Sequence, residues 1–322
     1  MALHLRTRSD ALFAVRAFLK ARGFLEVDTP LLVPGPGLEP HIDPLSSSVR
    51  TDFNAAPVER FLITSPELAL KRLLAAGNER IFQLGHVFRD GERTKRHLPE
   101  FTLLEWYRAG GTLDDLVNDH EQMFAAVAEA LKVNAPAVPF QRAEVADLFE
   151  EHAGIDLDSA LTAEGLAAGE LVARARAAGI ALRPGADFDD AFFAIMGDKV
   201  EPQIGRERPV VVSRWPASMA VLANLCEDDP RYALRFEVYA SGLELSNAYD
   251  ELTDATVQRA RFADDNAKRR ALGKRELPVD EDFLAALPRM PKSAGVALGF
   301  DRLLMLLLRI DAIDEVTPLA WR

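Results

Sequence analysis

The chain has 322 residues, of which 48% are apolar and 27% are charged, and its formal net charge is −12 at pH 7. This composition excludes a disordered chain and is typical of a globular protein that is long enough to bury a core. The acidic balance disfavours generic binding to phosphate backbones and favours a basic partner. A single cysteine, Cys226, excludes an internal disulfide and a metal site built from cysteine pairs.

The sequence carries no sign of export or membrane insertion. Arginine and aspartate occur throughout the first thirty residues, so we expect no secretion signal. The longest apolar run, from Leu303 to Leu308, is too short to cross a bilayer. We therefore expect a cytoplasmic protein that makes no contact with a membrane.

The N-terminal segment predicts a helix, a strand and a second helix. Ser9 or Asp10 begins the first helix, apolar residues recur in it at helical spacing, and Gly23 ends it. FLEVDTPLL then predicts a half-buried strand with its end near Pro30. After a loop rich in proline and glycine, SPELALKRLLAAG predicts a helix that Ser65 caps.

The rest of the chain predicts a hairpin, a helical insert and further strands. RIFQLGHVF and FTLLEWYRA flank a polar stretch and predict an antiparallel hairpin with a long loop. Residues 113–200 are rich in alanine and predict a mainly helical insert within one domain over 1–322. VVVSRW, RFEVYASGLELSNAY and GVALGF each predict one strand, and DRLLMLLLRI predicts a buried final helix. The predicted fold class is α+β.

Several common site signatures are absent from the sequence. The chain has no GxxxxGK[ST] loop, no GxGxxG after a strand and no GxSxG elbow. His120 begins the sequence HEQMF, which lacks the second histidine of a zinc protease. A nucleotide that binds this chain must therefore use another scaffold.

The loop of the predicted hairpin concentrates positive charge. Arg89 directly follows an apolar strand, and its planar guanidinium suits a bidentate grip on a phosphate or a carboxylate. Glu92 and His97 lie on the same loop, and Phe101 offers a flat face for a purine. A solvated charged turn fits this pattern equally well, so the loop alone does not decide between the two interpretations.

The last strand–helix junction, GVALGFDRLLML, predicts a second site for an anion. Gly299 permits a ligand to approach the backbone closely. Arg302 opens the following helix, where backbone N–H groups also favour anions. The alternative is an ordinary tight turn between a strand and a helix.

These segments resemble, in chain order, motifs 1, 2 and 3 of the class II aminoacyl-tRNA synthetases. The resemblance implies a mainly antiparallel mixed sheet flanked by helices and a homodimer formed through the motif 1 helix and strand. It also implies ATP and Mg²⁺ as cofactors, with Arg89 and Arg302 as catalytic residues and Glu237 and Glu244 as the metal ligands. The residues that match the ATP-binding positions are Arg89, Glu92, His97, Phe101, Glu237, Glu244, Gly299 and Arg302.

Within that family, SPELALKRLL, PEFTLLEWY and RFEVYASGLELSNAYDELTD resemble the amino-acid pocket of the lysyl-tRNA synthetases. A substrate with two ammonium groups needs carboxylates at both ends, because each buried cation must be paired. By the resemblance, Glu105, Glu251 and Tyr107 bind the side-chain amine, and Glu67 lies near the other amine. The remaining positions that match substrate-binding residues are Ser65, Asn247, Tyr249 and Ala297.

Motif 1 begins near residue 8, so we expect no anticodon-binding domain ahead of it. PEFTLLEWYR, PASMA, RFEVY and SGVALG resemble the free-standing paralogues of lysyl-tRNA synthetase, the elongation factor P lysine ligases. The resemblance implies activation of (R)-β-lysine as an adenylate and its transfer to a lysine of elongation factor P. One alternative, a minimal synthetase that charges tRNA, is disfavoured by the acidic charge. A silent regulatory paralogue is disfavoured because Arg89, Phe101 and Arg302 are present.

The sequence departs from the synthetases at a few positions. Gly91 stands where they carry a motif 2 glutamate, so Glu92 is a weaker candidate than Arg89. Tyr249 replaces a phenylalanine of the synthetase pocket. Ala297 replaces a glycine, and its methyl group favours β-lysine over α-lysine unless Ala297 only packs against the final helix.

Overall fold

A computed structural model describes residues 2–162, 165–166 and 169–320. Contacts within the chain divide it into two compact units. The first unit contains the residues up to Thr112, Gln122–Ala135 and the residues from Glu251 onward. The second unit contains Leu113–Glu121 and Pro136–Asp250. Both units combine helices with a sheet, as the predicted α+β class requires.

The first unit is built on a mixed sheet. The strands of the first unit, numbered in chain order, are β1 Leu25–Glu26, β2 Leu32–Val33, β3 Ser46–Val49, β4 Val58–Leu62, β5 Arg80–Phe88, β6 Glu100–Ala109 and β13 Ser293–Gly299. β1, β5, β6 and β13 are neighbours in that order, and only β1 and β5 are parallel. β2, β4 and β3 form a separate antiparallel sheet. The predicted hairpin is confirmed, with β5 and β6 paired along their full length.

The first unit also contains several helices. They are α1 Ala2–Ala21, α2 Glu67–Ala75, α7 Ala255–Ala271, α8 Glu281–Ala286, α9 Phe300–Leu308 and α10 Ile313–Val316, and α3 Leu113–Leu131 belongs partly to each unit. Of these helices, α1, α2 and α9 pack against the sheet. The expected cap at Ser65 is wrong, because Pro66 is the N-cap of α2. The hydroxyl of Ser65, one residue before the cap, accepts the N–H of Glu67 at 2.9 Å. Among the described residues, no helix has both the length and the apolar composition that a membrane span requires.

Helix α1 begins earlier than the sequence indicated. It starts at Ala2, and the expected start at Ser9 or Asp10 is wrong. The residues before Ser9 include alanine, leucine and arginine, which favour a helix, and neither glycine nor proline interrupts them. A capping residue inside a run of helix formers therefore did not mark the boundary.

The second unit has its own sheet and core. Its elements are α4 Val145–Ala153, α5 Glu170–Ala177, α6 Phe188–Ile195, β7 Gln141–Glu144, β8 Leu161–Thr162, β9 Gly165–Leu166, β10 Val210–Pro216, β11 Tyr232–Ala240 and β12 Leu243–Asp250. β12, β11, β10 and β7 are neighbours in that order, and only β10 and β7 are parallel. The ring centroid of Phe192 lies 5.0 Å from that of Phe149 and 5.5 Å from that of Trp215, at the centre of the core.

RFEVYASGLELSNAY forms two strands rather than the single strand expected. Ser241 and Gly242 have φ angles of 54° and 68°, so the chain reverses between β11 and β12. A Cβ atom at Gly242 would lie 2.9 Å from the carbonyl oxygen of Glu201, so this position requires glycine on both counts. The only local sign of the turn is the dipeptide Ser-Gly within an otherwise strand-like run.

The segment around motif 1 leaves apolar side chains on the surface. Phe13 on α1 is 74% exposed, and Leu25 and Leu31 are also exposed. The expected half-buried strand is wrong, because β1 covers only two residues and Leu25 faces outward. Phe18, on the same helix as Phe13, is buried within the chain itself and is not available to a partner. Large exposed apolar patches are typical of protein interfaces.

We predict that this surface forms a homodimer. Phe13→Glu should reduce the mass measured by light scattering at micromolar concentration from that of two chains to that of one, because it adds a charge to the apolar face. Phe53→Glu is the matched control, since Phe53 is 96% exposed and lies outside the helices and strands. A wild-type protein with the mass of one chain would contradict the prediction.

Candidate active site

Four acidic or phenolic side chains and one lysine meet in the first unit. Glu105 and Tyr107 lie two residues apart on β6 and therefore share a face of the sheet. Glu67 and Lys71 lie one turn apart on α2, and Glu251 is the residue that follows β12. We call these five residues the acidic cluster. The structure thus brings together the carboxylates that the sequence assigned to one pocket.

Both oxygens of Glu105 have hydrogen-bond donors. The hydroxyl of Ser65 donates to Oε1 at 2.5 Å, and the hydroxyl of Tyr107 donates to Oε2 at 3.0 Å. Burial and the nearby carboxylate of Glu67 nevertheless raise the pKa of Glu105 to about 8. Burial and the charge of Glu105 hold the pKa of Tyr107 well above its usual value, so its hydroxyl remains a donor.

Lys71 is the member of the acidic cluster that sequence reasoning missed. Its side chain is 1% exposed, and its Nζ lies 2.6 Å from Oε1 of Glu67 and 2.5 Å from Oε2 of Glu251. Burial lowers the pKa of Lys71, but the charges of Glu251 and Glu67 outweigh it, so the pKa is raised and the ammonium group persists. Burial also raises the pKa of Glu251 to about 8, because Lys71 offsets the lost solvent only in part. The spacing of Glu67 and Lys71 was the available signal.

Strand β13 forms one wall of the acidic cluster. Gly295 is paired with Tyr107 across the sheet, and a Cβ atom there would overlap the Tyr107 ring and the Glu251 carboxylate. The side chains of the protein therefore require glycine at this position. Ala297 is paired with Glu105, so its methyl group lies on the face of the sheet that carries the cluster.

The predicted phosphate-binding residues form two contacting groups. The guanidinium carbon of Arg89 lies 5.1 Å from the ring centroid of Phe101, and its Nη1 is 3.9 Å from Oε2 of Glu92. Nη2 of Arg302 lies 2.6 Å from Nε2 of His97. Because arginine can only donate, Nε2 of His97 accepts this hydrogen bond. Each predicted arginine thus lies against one of the ring side chains expected to position a nucleotide.

A buried ion pair fixes the start of α9, where Arg302 is rooted. Asp301 accepts a hydrogen bond from the backbone N–H of Thr102 at 2.7 Å and pairs with the guanidinium of Arg8. Nη2 of Arg8 also donates to the hydroxyl of Thr102 at 2.6 Å. Sequence reasoning missed Arg8 and Thr102, since their contacts join residues far apart in the chain. At Gly299, a Cβ atom would only make ordinary contact with Arg302, at 3.5 Å.

In the second unit, Glu237 is held by two neighbours on the same face of β11. Nη2 of Arg235 lies 2.5 Å from its Oε1, and the hydroxyl of Tyr239 donates to its Oε2 at 2.6 Å. Burial and the charge of Glu244 raise the pKa of Glu237 to about 7. The two predicted metal ligands therefore lie close enough to repel each other, and a cation would relieve that repulsion.

The chemistry of these two carboxylates fits Mg²⁺, which typically uses one or two protein carboxylates and completes its shell with water and substrate phosphates. The described part of the chain contains no group of three or more histidine, cysteine, aspartate or glutamate side chains arranged to hold a metal.

Arg235 also organises the other predicted residues of β12. Its Nε donates to Oδ1 of Asn247 at 3.1 Å, and Nδ2 of Asn247 donates to the hydroxyl of Tyr249 at 2.8 Å. Its Nη1 donates to the carbonyl of Met219 at 2.7 Å. Sequence reasoning missed Arg235, although its alternation with Glu237 along a strand-like run placed both on one face.

We predict that Gly295→Ala disrupts the acidic cluster. The added methyl group would displace Tyr107 and Glu251, so the free energy of unfolding should fall by about 1–3 kcal/mol. The adenylate-forming activity that the sequence implies should fall by roughly 10²-fold when it is measured by pyrophosphate exchange. Gly197→Ala is the control, because a Cβ atom there has no neighbour within 4 Å. Wild-type exchange rates in Gly295→Ala would show that the cluster tolerates displacement.

Comparison with known proteins identifies the family. The family model described as tRNA synthetases class II (D, K and N) matches residues 1–321. The elongation factor P–(R)-β-lysine ligase of Histophilus somni (strain 2336) is 39% identical over 97% of this chain and 93% of its own length. The ligase of Haemophilus influenzae (strain PittGG) is 39% identical over 98% of this chain and 94% of its own length. The ligase of Mannheimia succiniciproducens is 41% identical over 96% of this chain and 92% of its own length. The chain belongs to the class II tRNA synthetase family and, within it, to the elongation factor P–(R)-β-lysine ligases.

Proposed function

We propose that this chain is an ATP-dependent ligase that activates (R)-β-lysine as an adenylate and transfers it to a lysine side chain of elongation factor P. The observation that carries the proposal is the acidic cluster. A buried group of three carboxylates suits a ligand with two ammonium groups, because buried charges require partners. The relatives reported above are named as elongation factor P–(R)-β-lysine ligases, which supports the proposal.

In this proposal the acidic cluster binds both amines of the substrate. Glu105 and Glu251 take the side-chain ammonium together with Tyr107, and Glu67 takes the other ammonium. Ser65 supports this arrangement because its hydroxyl orients Glu105. Asn247, Tyr249 and Ala297 complete the set of substrate-binding residues, as the family resemblance implies.

The activation step joins the substrate carboxylate to the α-phosphate of ATP. A carboxylate oxygen attacks the α-phosphorus, the bond to the bridging oxygen breaks, and pyrophosphate leaves. Arg89 holds the carboxylate and the α-phosphate together, and Phe101 and His97 position the nucleotide. Arg302 holds the distal phosphates beside Gly299. Glu92 contacts Arg89 and helps to position its guanidinium. Orientation and charge stabilisation supply the catalysis.

Glu237 and Glu244 would hold Mg²⁺, which neutralises charge on phosphate groups when it is bound. Arg235 and Tyr239 keep Glu237 in place by occupying one oxygen each. These two partners fix the carboxylate without contributing further negative charge. Arg235 and Tyr239 therefore support the metal site by positioning Glu237, without binding the metal themselves.

The transfer step forms an amide. The side-chain amine of an acceptor lysine attacks the acyl carbon of the adenylate, the bond to the phosphate oxygen breaks, and AMP leaves. The net charge of −12 supports a protein acceptor over the polyanion tRNA. An elongation factor as acceptor supports a cytoplasmic location.

One incubation tests the proposal directly. Labelled α- or β-lysine is supplied with ATP and Mg²⁺, and either elongation factor P or tRNA is added as acceptor. We expect label on elongation factor P, with β-lysine preferred, and no label on tRNA. Transfer to tRNA would favour a minimal synthetase, and absence of pyrophosphate exchange with both isomers would overturn the ligase assignment.

We predict that Arg89→Ala reduces adenylate formation by roughly 10²-fold or more, because the clamp is charge-assisted and acts in the transition state. The fold should persist, since Arg89 is partly exposed. Arg50→Ala, which removes an exposed arginine of the same unit, is the control. Adenylate formation within about tenfold of the wild-type rate would remove Arg89 from the mechanism.

We further predict that Ala297→Gly raises activity with α-lysine relative to β-lysine. Ala297 is paired with Glu105 and packs near Ile63, Val87 and Leu103. Its methyl group occupies space beside the cluster, and one such group is worth about 1–3 kcal/mol of discrimination.

Pyrophosphate exchange with both isomers measures the ratio. Ala294→Gly is the matched control, since Ala294 lies on the opposite face of β13. An isomer ratio that both variants leave unchanged would show that Ala297 does not set the preference.

A further inference from the structure

The acidic cluster contains a charge imbalance that Lys71 reduces. Glu67, Glu105 and Glu251 contribute three carboxylates, and Lys71 contributes one ammonium group, so the fully ionised cluster has a net charge of −2. Two ammonium groups on a ligand would neutralise that charge. Without Lys71 the same carboxylates would carry −3.

Lys71 also determines where two of the carboxylates lie. Its ammonium group lies 2.6 Å from Oε1 of Glu67, on the same helix, and 2.5 Å from Oε2 of Glu251, in the segment that follows β12. Both partners have at least one oxygen fixed by this contact, although they come from separate elements. Since Lys71 is 1% exposed, water does not compete for these contacts.

The titratable groups that face Lys71 and its partners come from three elements. Glu67 lies on α2, Glu105 and Tyr107 lie on β6, and Glu251 follows β12. Tyr107 remains neutral because burial and Glu105 raise its pKa well above the usual value. The charge of the cluster is thus set by the three carboxylates and Lys71.

We propose that Lys71 is a positioning residue whose ammonium group cancels one of the three carboxylate charges and fixes Glu67 and Glu251, so that the ionised cluster matches a substrate with two ammonium groups. This inference rests on the proposed function. It assigns a role to a residue that does not itself take part in the transfer of any group.

Proton release follows from this arrangement. Burial raises the pKa of Glu105 and of Glu251 to about 8, so near pH 7 the empty cluster retains protons on these carboxylates. A substrate with two ammonium groups displaces those protons as it binds. Because Lys71 lowers the pKa of both carboxylates, its removal moves their ionisation, and the acid limb of kcat/KM, to higher pH.

The first experiment compares Lys71→Met with wild type in pyrophosphate exchange with (R)-β-lysine between pH 7 and pH 9. The acid limb of kcat/KM should move up by roughly one pH unit or more, so the deficit of the variant should be about tenfold larger at pH 7 than at pH 9. Lys274→Met is the matched control, because it removes an ion pair with Asp43, at 2.8 Å, that involves no residue of the cluster.

The outcomes separate the two proposals. If the wild type is active and the acid limb of kcat/KM is shifted in Lys71→Met but not in Lys274→Met, the result supports the role of Lys71. An active wild type and an equal deficit of Lys71→Met at every pH overturns that role and leaves the proposed function intact. A wild type without exchange on either lysine isomer overturns both.

A second measurement needs no variant and tests the ionisation of the cluster, on which the predicted pH shift depends. Calorimetry of (R)-β-lysine binding to the wild type, in buffers with different ionisation enthalpies, counts the protons released. We expect net release of protons at pH 7 and less release at pH 9. Binding without proton release at pH 7 overturns the inference.

Discussion

Burying three carboxyl groups away from water is the constraint around which the acidic cluster is organised. Buried ionised groups are costly unless charges and hydrogen bonds compensate them. Here Lys71 contacts two glutamates, and the hydroxyls of Ser65 and Tyr107 hold the third, Glu105. Gly295 supplies the room that this packing needs, since any side chain there would overlap the cluster. Helix α2 and strands β6 and β13 therefore owe part of their sequence to the same electrostatic problem.

The second unit also buries a glutamate and holds it with a tyrosine on the same strand. In each unit a glutamate on a strand accepts a hydrogen bond from the tyrosine two residues later, as Glu105 does from Tyr107 and Glu237 does from Tyr239. The spacing of two places both side chains on one face of the strand. The partners differ, because Glu237 contacts Arg235 directly, whereas the hydroxyls of Ser65 and Tyr107 hold Glu105. Burial raises the pKa of both glutamates, so either one gains from a cationic ligand.

Much of this arrangement was predictable from sequence, and the failures have identifiable causes. Helix α2, the β5–β6 hairpin and the grouping of Glu67, Glu105 and Glu251 followed from local patterns and family resemblance. The start of α1 was not predicted, because helix-forming residues continue before the candidate cap at Ser9 or Asp10. The turn between β11 and β12 was not predicted either, because only the dipeptide Ser241-Gly242 marks it. Buried cations were missed for another reason. A lysine on an amphipathic helix is usually solvated, and only tertiary contacts reveal that Lys71 is enclosed.

Charge and shape divide the work of substrate selection in this proposal. α-Lysine and β-lysine carry the same two ammonium groups, so the net charge of the cluster does not distinguish them. Only the position of one amine differs, and discrimination must come from the space around it. Ala297 lies across the sheet from Glu105, where a methyl group alters that space without altering the charge. Because one methyl group changes binding by only about 1–3 kcal/mol, such a site favours one isomer and still admits the other. Electrostatics then sets the class of substrate, and a single small side chain sets the preference within it.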